Sequence, residues 1–210
     1  MNNKILRDLS YGVYVVGSLD GERKVGCIAN SAMQITSNPA SIAISINHDN
    51  YTNECIKRTN KFSISILNEE SNPNIIGTFG FSSSKDVDKY NNFDYELVED
   101  IPVIKDSNGY IVCEVINILE TETHTIFVGN VINMDKYDNK NAMTYKYYHE
   151  VLKGSSPKKA PTYQENVVEE IKGNRWKCMI CGYIYEGEEL PLDYVCPICG
   201  QPREVFEKID

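Results

Sequence analysis

Short runs in which apolar residues alternate with small or polar ones dominate the first 150 positions. Ser41–Asn47 reads Ser-Ile-Ala-Ile-Ser-Ile-Asn and Lys61–Leu67 reads Lys-Phe-Ser-Ile-Ser-Ile-Leu. This is the period of two expected of strands with one buried face. Tyr11–Ser18 is rich in Val, Tyr and Gly and runs into Leu19-Asp20-Gly21-Glu22. That tetrapeptide signals a hairpin turn, so Lys24–Ser31 is expected to return as its partner strand. Ser107-Asn108-Gly109 marks a further turn into the β-branched run Tyr110–Leu119, and His124–Val131 is another strand. Two stretches break the period. Thr52–Thr59 has a helix-start threonine with Lys57 and Arg58 near its end, and Asn72–Gly80 is expected as a second short helix. Six or more strands with few, short helices predict a mainly β, barrel-like domain. There is no strict strand–helix alternation and no G-x-G-x-x-G behind a strand, which argues against a dinucleotide fold of alternating strands and helices.

The pattern changes after residue 153. Gly154-Ser155-Ser156-Pro157-Lys158-Lys159-Ala160-Pro161 is polar and proline-marked, so residues 154–173 are expected to link a domain over 1–153 to a tail over 174–210. That tail is too short to fold on a hydrophobic core alone and calls for a metal staple.

The cysteines supply one. Of seven, Cys27, Cys55 and Cys113 are scattered among apolar neighbours and are expected to be inert core residues. Cys178, Cys181, Cys196 and Cys199 form two Cys-x-x-Cys pairs separated by fourteen residues, each followed by a glycine, Gly182 and Gly200. Each pair suits a tight knuckle aiming two thiolates at one ion, and glycine there permits positive φ. A four-sulfur site holds zinc or iron. An odd cysteine count, scattered in part, does not suit a secreted disulfide framework.

The chain has 210 residues, is 41% apolar and carries a formal net charge of −9. The acidic balance disfavours nucleic acid and anionic lipid as partners. No run of about 20 apolar residues is present to span a bilayer, and the polar start has no signal-peptide core, so a cytoplasmic location is expected. None of the three histidines, His48, His124 and His149, sits in metal-ligand spacing with another, and no G-x-S-x-G or P-loop appears. Tyr145-Lys146-Tyr147-Tyr148-His149 is expected at a dimer interface or in the core.

Two resemblances sharpen this picture. Trp176, Cys181-Gly182-Tyr183-Ile184-Tyr185, Cys196-Pro197-Ile198-Cys199-Gly200 and Phe206 resemble rubredoxin, in the short-spacer form seen in the tail of rubrerythrins. The resemblance implies one iron on the four cysteines, with Trp176, Tyr183, Tyr185 and Phe206 keeping water off it. Tyr11–Ser18, Gly26–Thr36, Ser37-Asn38-Pro39, Ser41–Asn47, Lys61–Leu67 and Thr123–Gly129 look like the flavin reductase family. That implies an FMN-binding split β-barrel, usually a homodimer, with NAD(P)H as electron donor. By this likeness Ile28, Ala29, Asn30, Ser31 and Ala32 run along the flavin ring. Asn47, Asn50, Tyr51 and Thr52 lie near the ribityl phosphate, where the helix start at Thr52 favours an anion. Ser83, at the end of Phe79–Ser83, and Lys89 offer a second contact, and His124 matches the histidine beside the flavin and nicotinamide. The fusion resembles high-molecular-weight rubredoxins, which implies an oxidoreductase passing electrons from flavin to iron and on to a flavodiiron protein that reduces oxygen or nitric oxide. Glu186, Glu188, Glu189 and Asp193 form either an acidic docking face for that partner or a solvated loop. The competing reading is a flavin-binding module with a structural zinc ribbon and no turnover.

Overall fold

The computed structural model describes residues 3–152, 154 and 175–209. Nearly all of the expected linker lies outside the described residues. The first unit is built from β1 (Tyr14–Asp20), β2 (Arg23–Ala29), β3 (Ala32–Ser37), β4 (Ala40–Asn47), α1 (Tyr51–Thr59), β5 (Lys61–Ile66), α2 (Pro73–Phe81), β6 (Tyr95–Val98), β7 (Ile101–Ile104), β8 (Gly109–Glu120), β9 (His124–Lys136) and α3 (Tyr145–Glu150). The tail adds β10 (Arg175–Cys178), β11 (Ile184–Glu186) and β12 (Phe206–Ile209). The protein is mainly β, as expected. No helix among the described residues is long and apolar enough to cross a membrane.

Among the described residues, seven strands form one antiparallel sheet in the order β2-β1-β5-β8-β9-β4-β3. Its ends curl towards each other where β2 approaches β4, giving an incompletely closed barrel. The alternating isoleucines act as their period predicts: Ile42, Ile44 and Ile46 of β4 and Phe62 and Ile64 of β5 meet Val16 and Phe127 in the barrel interior. The serines of β5, Ser63 and Ser65, are buried too. Ser63 Oγ donates to the Pro102 carbonyl at 2.6 Å, and the Ile104 N–H donates to Ser65 Oγ at 2.9 Å. The β6–β7 hairpin thus covers the outer face of β5, and the small polar residues satisfy its backbone.

The expected hairpin joins β1 to β2 through Gly21, at φ 62°. The helix expected from Thr52 begins at Tyr51. Asn50 is its cap, accepting from the Thr52 N–H, and Asn60 ends it in the left-handed region. The second helix has Asn72 as cap with Pro73 behind it, the position where a missing N–H costs nothing. Three strands carry no sequence signal. β3 is an edge strand whose residues are mostly exposed. β6 and β7 are joined by Glu99 and Asp100, both at positive φ, a two-residue turn without the Asn-Gly or Asp-Gly pair that announces one.

In the tail, β10 lies between β11 and β12. A single buried cluster runs from Val13, Leu67, Ile75 and Ile76 through Phe79 and Tyr148 to Cys178, Cys181, Ile198 and Phe206. The tail therefore packs its metal-ligand side against the first unit.

Candidate functional site

A cleft of about 420 Å³ opens at one end of the barrel, within the usual size range of small-molecule pockets. The end of β2 contributes Cys27, Ile28, Ala29 and Asn30, and the end of β4 contributes Ser45, Ile46 and Asn47. Asn50 and Tyr51 come from the start of α1, and His124 opens β9. The opposite wall is α2 and its exit, from Ile76 and Phe79 to Ser83, with Tyr145 and Tyr148 of α3 beside it. Apolar walls with polar groups gathered at the strand ends suit a flat, partly apolar cofactor with an anionic tail.

Of the sequence-expected flavin contacts, Ile28, Ala29, Asn30, Asn47, Asn50, Tyr51, Ser83 and His124 line this cleft. Ser31, Ala32, Thr52 and Lys89 do not. Ser31 sits where the chain turns from β2 to β3, its hydroxyl donating to Asn30 Oδ1 at 2.9 Å. Thr52 lies fully buried beneath the lining. Its hydroxyl has no hydrogen-bond partner among the described residues. The first turn of α1, capped by Asn50 and bordering the cleft with Asn50 and Tyr51, puts the positive end of a helix where an anion would lie. Cys27 sits in the lining with its thiol pushed up by burial, a shift opposed by Lys89, Thr52 and Asn50. Val13, Tyr145 and Tyr148 line the cleft without having been expected there. The tyrosine-rich stretch was the available signal, and its packing has a cleft on one side.

Lys89 is 3% exposed and donates to the carbonyls of Gly26 at 2.8 Å and Phe79 at 3.1 Å. It ties α2 to β2 and so holds two walls of the cleft together from behind. Burial lowers its pKa to about 8. A group whose pKa falls on folding destabilises the fold while both states are charged and ceases to do so as pH climbs past the folded value. Between about pH 8 and 10.5 the stability of the native protein relative to Lys89→Met should therefore rise, by up to about 3 kcal/mol at 1.36 kcal/mol per unit. Denaturant unfolding of both proteins across that range measures it, and a gap that stays flat refutes it.

His124 is held below its usual pKa by burial and then by His48, so its ring is neutral at pH 7, and its Nδ1 lies 2.8 Å from the Thr123 hydroxyl. His48 faces away, 2.9 Å from Glu120.

The second part of the site is the four-cysteine cluster. All four sulfurs lie within 4.8 Å of one another. Cys178 and Cys199 are 3.6 Å apart, and Cys181 and Cys196 are 3.5 Å apart. A tetrahedral ion with metal–sulfur bonds of about 2.3 Å sets sulfurs about 3.8 Å apart, so the cage has the size an ion needs. A disulfide would require about 2.05 Å. The two knuckles are alike. The Gly182 N–H donates to the Cys178 carbonyl at 2.8 Å and the Gly200 N–H to the Cys196 carbonyl at 2.9 Å. Both glycines have positive φ, 75° and 66°. Backbone N–H groups of Tyr183 and Gln201 reach the sulfurs of Cys181 and Cys199, and those of Ile198 and Cys199 reach Cys196. Hydrogen bonds from the Cys181 and Cys199 thiols hold Cys196 well below the usual thiol range, while Cys196 and Cys199 push Cys181 up. A metal cation takes the place of those shared protons. Phe206 is buried beside the cage, and Trp176, Tyr183 and Tyr185 pack against it as expected. Tyr194 joins them, 4.6 Å from Tyr185 and 5.4 Å from Phe206 between ring centres.

Comparison with known proteins agrees with both halves. The flavin reductase like domain model matches residues 6–155, and the rubrerythrin, rubredoxin-like domain model matches residues 176–207. The high molecular weight rubredoxin of Moorella thermoacetica is 36% identical, with 100% of each chain covered. The ferric-chelate reductase (NAD(P)H) of Archaeoglobus fulgidus is 33% identical over 75% of this chain and 95% of its own. Among solved structures, the NADH:FAD oxidoreductase of Streptomyces globisporus has a TM-score of 0.63 at 23% identity, covering 68% of this chain and 85% of that one, a likeness of fold. The chain belongs to the flavin reductase family of oxidoreductases, its flavin-binding barrel joined to a rubredoxin-like four-cysteine iron domain.

Proposed function

We propose that the protein oxidises NAD(P)H at a bound FMN, passes the electrons singly to an iron held by Cys178, Cys181, Cys196 and Cys199, and delivers them to a flavodiiron protein that reduces oxygen or nitric oxide. The observation that carries this reading is the packing of the cysteine cage on the α2 wall of the cleft, within one buried cluster. A structural zinc ribbon would have no need of that address. The Moorella relative, alike along its whole length, joins the same two units.

Bound flavin supplies the exchange between two-electron and one-electron chemistry, and the iron carries one electron. The overall balance is one NAD(P)H and two ferric ions giving NAD(P)⁺, one proton and two ferrous ions. The chain's residues orient and shield. Backbone at Ile28–Asn30 and the side chains of Asn30 and Asn47 hold the ring edge. The first turn of α1, with Asn50 and Tyr51, takes the phosphate, and Ser83 borders the far side. His124, uncharged at neutral pH, stands at the mouth where the nicotinamide arrives. Lys89 acts through the wall it braces.

The protein works as a homodimer in the cytoplasm. Met33, Leu119 and Met134 are apolar side chains at 60–62% exposure on β3, β8 and β9, surface that a second copy would cover. On the tail, Met179 and Ile180 of the first knuckle are exposed, and with the acidic loop from Glu186 to Asp193 they supply an apolar spot and a charged rim for the acceptor.

Anaerobic addition of NADH or NADPH to native protein tests this. Flavin absorbance should bleach first and the thiolate-to-iron bands after it, with no acceptor added. Zinc in the cage, or iron bands that persist while flavin bleaches, would leave the competing module reading in its place.

A further inference from the structure

The contact between cage and cleft wall depends on one residue that neither unit's chemistry explains. Gly77 lies inside α2, where glycine costs about 1 kcal/mol relative to alanine. Its φ is helical, so no turn requires it. What requires it is the tail. A Cβ at Gly77 would stand 2.5 Å from Cys199 Cα and 2.6 Å from the Ile198 carbonyl oxygen. Both are backbone atoms of the second knuckle and cannot swing aside. One turn earlier on the same helix face, Asn74 Oδ1 would meet a Cβ at Gly200 at 3.3 Å. Residues Asn74 and Gly77, three apart, therefore form a shallow seat, and the knuckle around Cys199 rests in it.

The helix is thin at this point. Ile76, Phe79 and Gly80 line the cleft, whereas Gly77 is buried under the knuckle. At Gly77, then, α2 meets the second knuckle with backbone alone, one residue from Ile76 of the cleft wall. Tyr148 also lines the cleft and belongs to the same buried cluster as Cys178, Cys181 and Cys196. The first knuckle, by contrast, leaves Met179 and Ile180 exposed, so the two knuckles face different surroundings.

We propose that Gly77 is a positioning residue: its bare backbone seats the second knuckle against α2, sets the spacing from flavin cleft to iron within one chain, and makes Cys199 the ligand through which the iron is reduced. This rests on the electron-transfer reading above. Gly77→Leu keeps a good helix former in α2 but fills the seat. Asn74→Trp overfills the seat from the same helix face and leaves every residue of the cage in place.

Hydrogen exchange, with metal and flavin bound, reads the seat directly. Residues 73–81 and 196–201 should lose protection in both variants, while metal content and visible bands stay as in the native protein. In single-turnover mixing with NADH, flavin bleaching should keep its rate, and iron bleaching should slow about tenfold, the equivalent of about 1.4 kcal/mol of docking. Unchanged protection at both segments, or equal slowing of flavin and iron bleaching, overturns the proposal. If native iron never bleaches, the electron-transfer reading fails; the exchange result still decides whether Gly77 is the seat. If Gly77→Leu does not fold, Asn74→Trp carries the same two readouts.

Discussion

Cys196→Ser should abolish the tail as a folded unit, with metal content falling from about one ion per chain to less than about a tenth. The serine oxygen is a hard, protonated donor at neutral pH and a poor ligand for an ion chosen by thiolates. Cys196 also accepts the backbone N–H groups of Ile198 and Cys199, so its loss opens the second knuckle from inside. The described part of the tail has three strands of three or four residues. Its hydrophobic interior consists largely of the cage and a few aromatics. A structural metal site contributes about 10–16 kcal/mol of apparent binding free energy, more than such a unit gains from burial. Metal analysis together with limited proteolysis checks this: residues 175–209 should become cleavable while the barrel survives. Cys113→Ser is the control, since Cys113 is fully buried in the barrel with its thiol pushed up to about 12 by burial. It should cost about 1–3 kcal/mol as a buried hydroxyl without a partner and leave the metal in place. A Cys196→Ser protein that keeps stoichiometric metal and its protease resistance would remove the cage from the account.

The cage could be read from sequence because its information is local: two cysteines in one turn and a glycine after them decide where two sulfurs point. The strands of β4 and β5 were legible for the same reason. What lay beyond reach depends on distant partners. Lys89 stands in the charged run Lys85–Lys89, which suggests a solvated lysine or a phosphate contact. Its position is decided by the carbonyls of Gly26 and Phe79, 63 and 10 residues away. Ser31 and Ala32 continue the motif of the cleft, but the chain leaves β2 at Asn30 and starts β3, which carries them out of the lining. The β6–β7 hairpin turns at Glu99-Asp100 with positive φ that residue type does not advertise. Gly77 has its reason in Ile198 and Cys199, more than a hundred residues away in sequence.

The start of α1 offers the second large effect, because Asn50 has two jobs there that substitution can separate. Its side chain accepts the Thr52 N–H at 3.1 Å, capping the helix, and it faces the cleft where the proposed phosphate lies. Asn50→Ala loses the cap, about 1 kcal/mol, and a donor to the phosphate, so stability and FMN affinity should both fall, the latter about tenfold. Asn50→Asp behaves differently. Aspartate caps as well as asparagine and suits the positive end of the helix, so the flavin-free barrel should be as stable as the native one or slightly more so. The same carboxylate faces the anionic tail of FMN, however. Two like charges about 4 Å apart at an effective dielectric of about 20 repel by roughly 4 kcal/mol, and even half of that, with the lost donor, weakens FMN about 100-fold. Added salt should recover part of this loss in Asn50→Asp and little in Asn50→Ala. Flavin titration at two ionic strengths, with thermal unfolding of the flavin-free proteins, separates these effects. Equal affinity in Asn50→Asp and native protein would move the phosphate away from the first turn of α1.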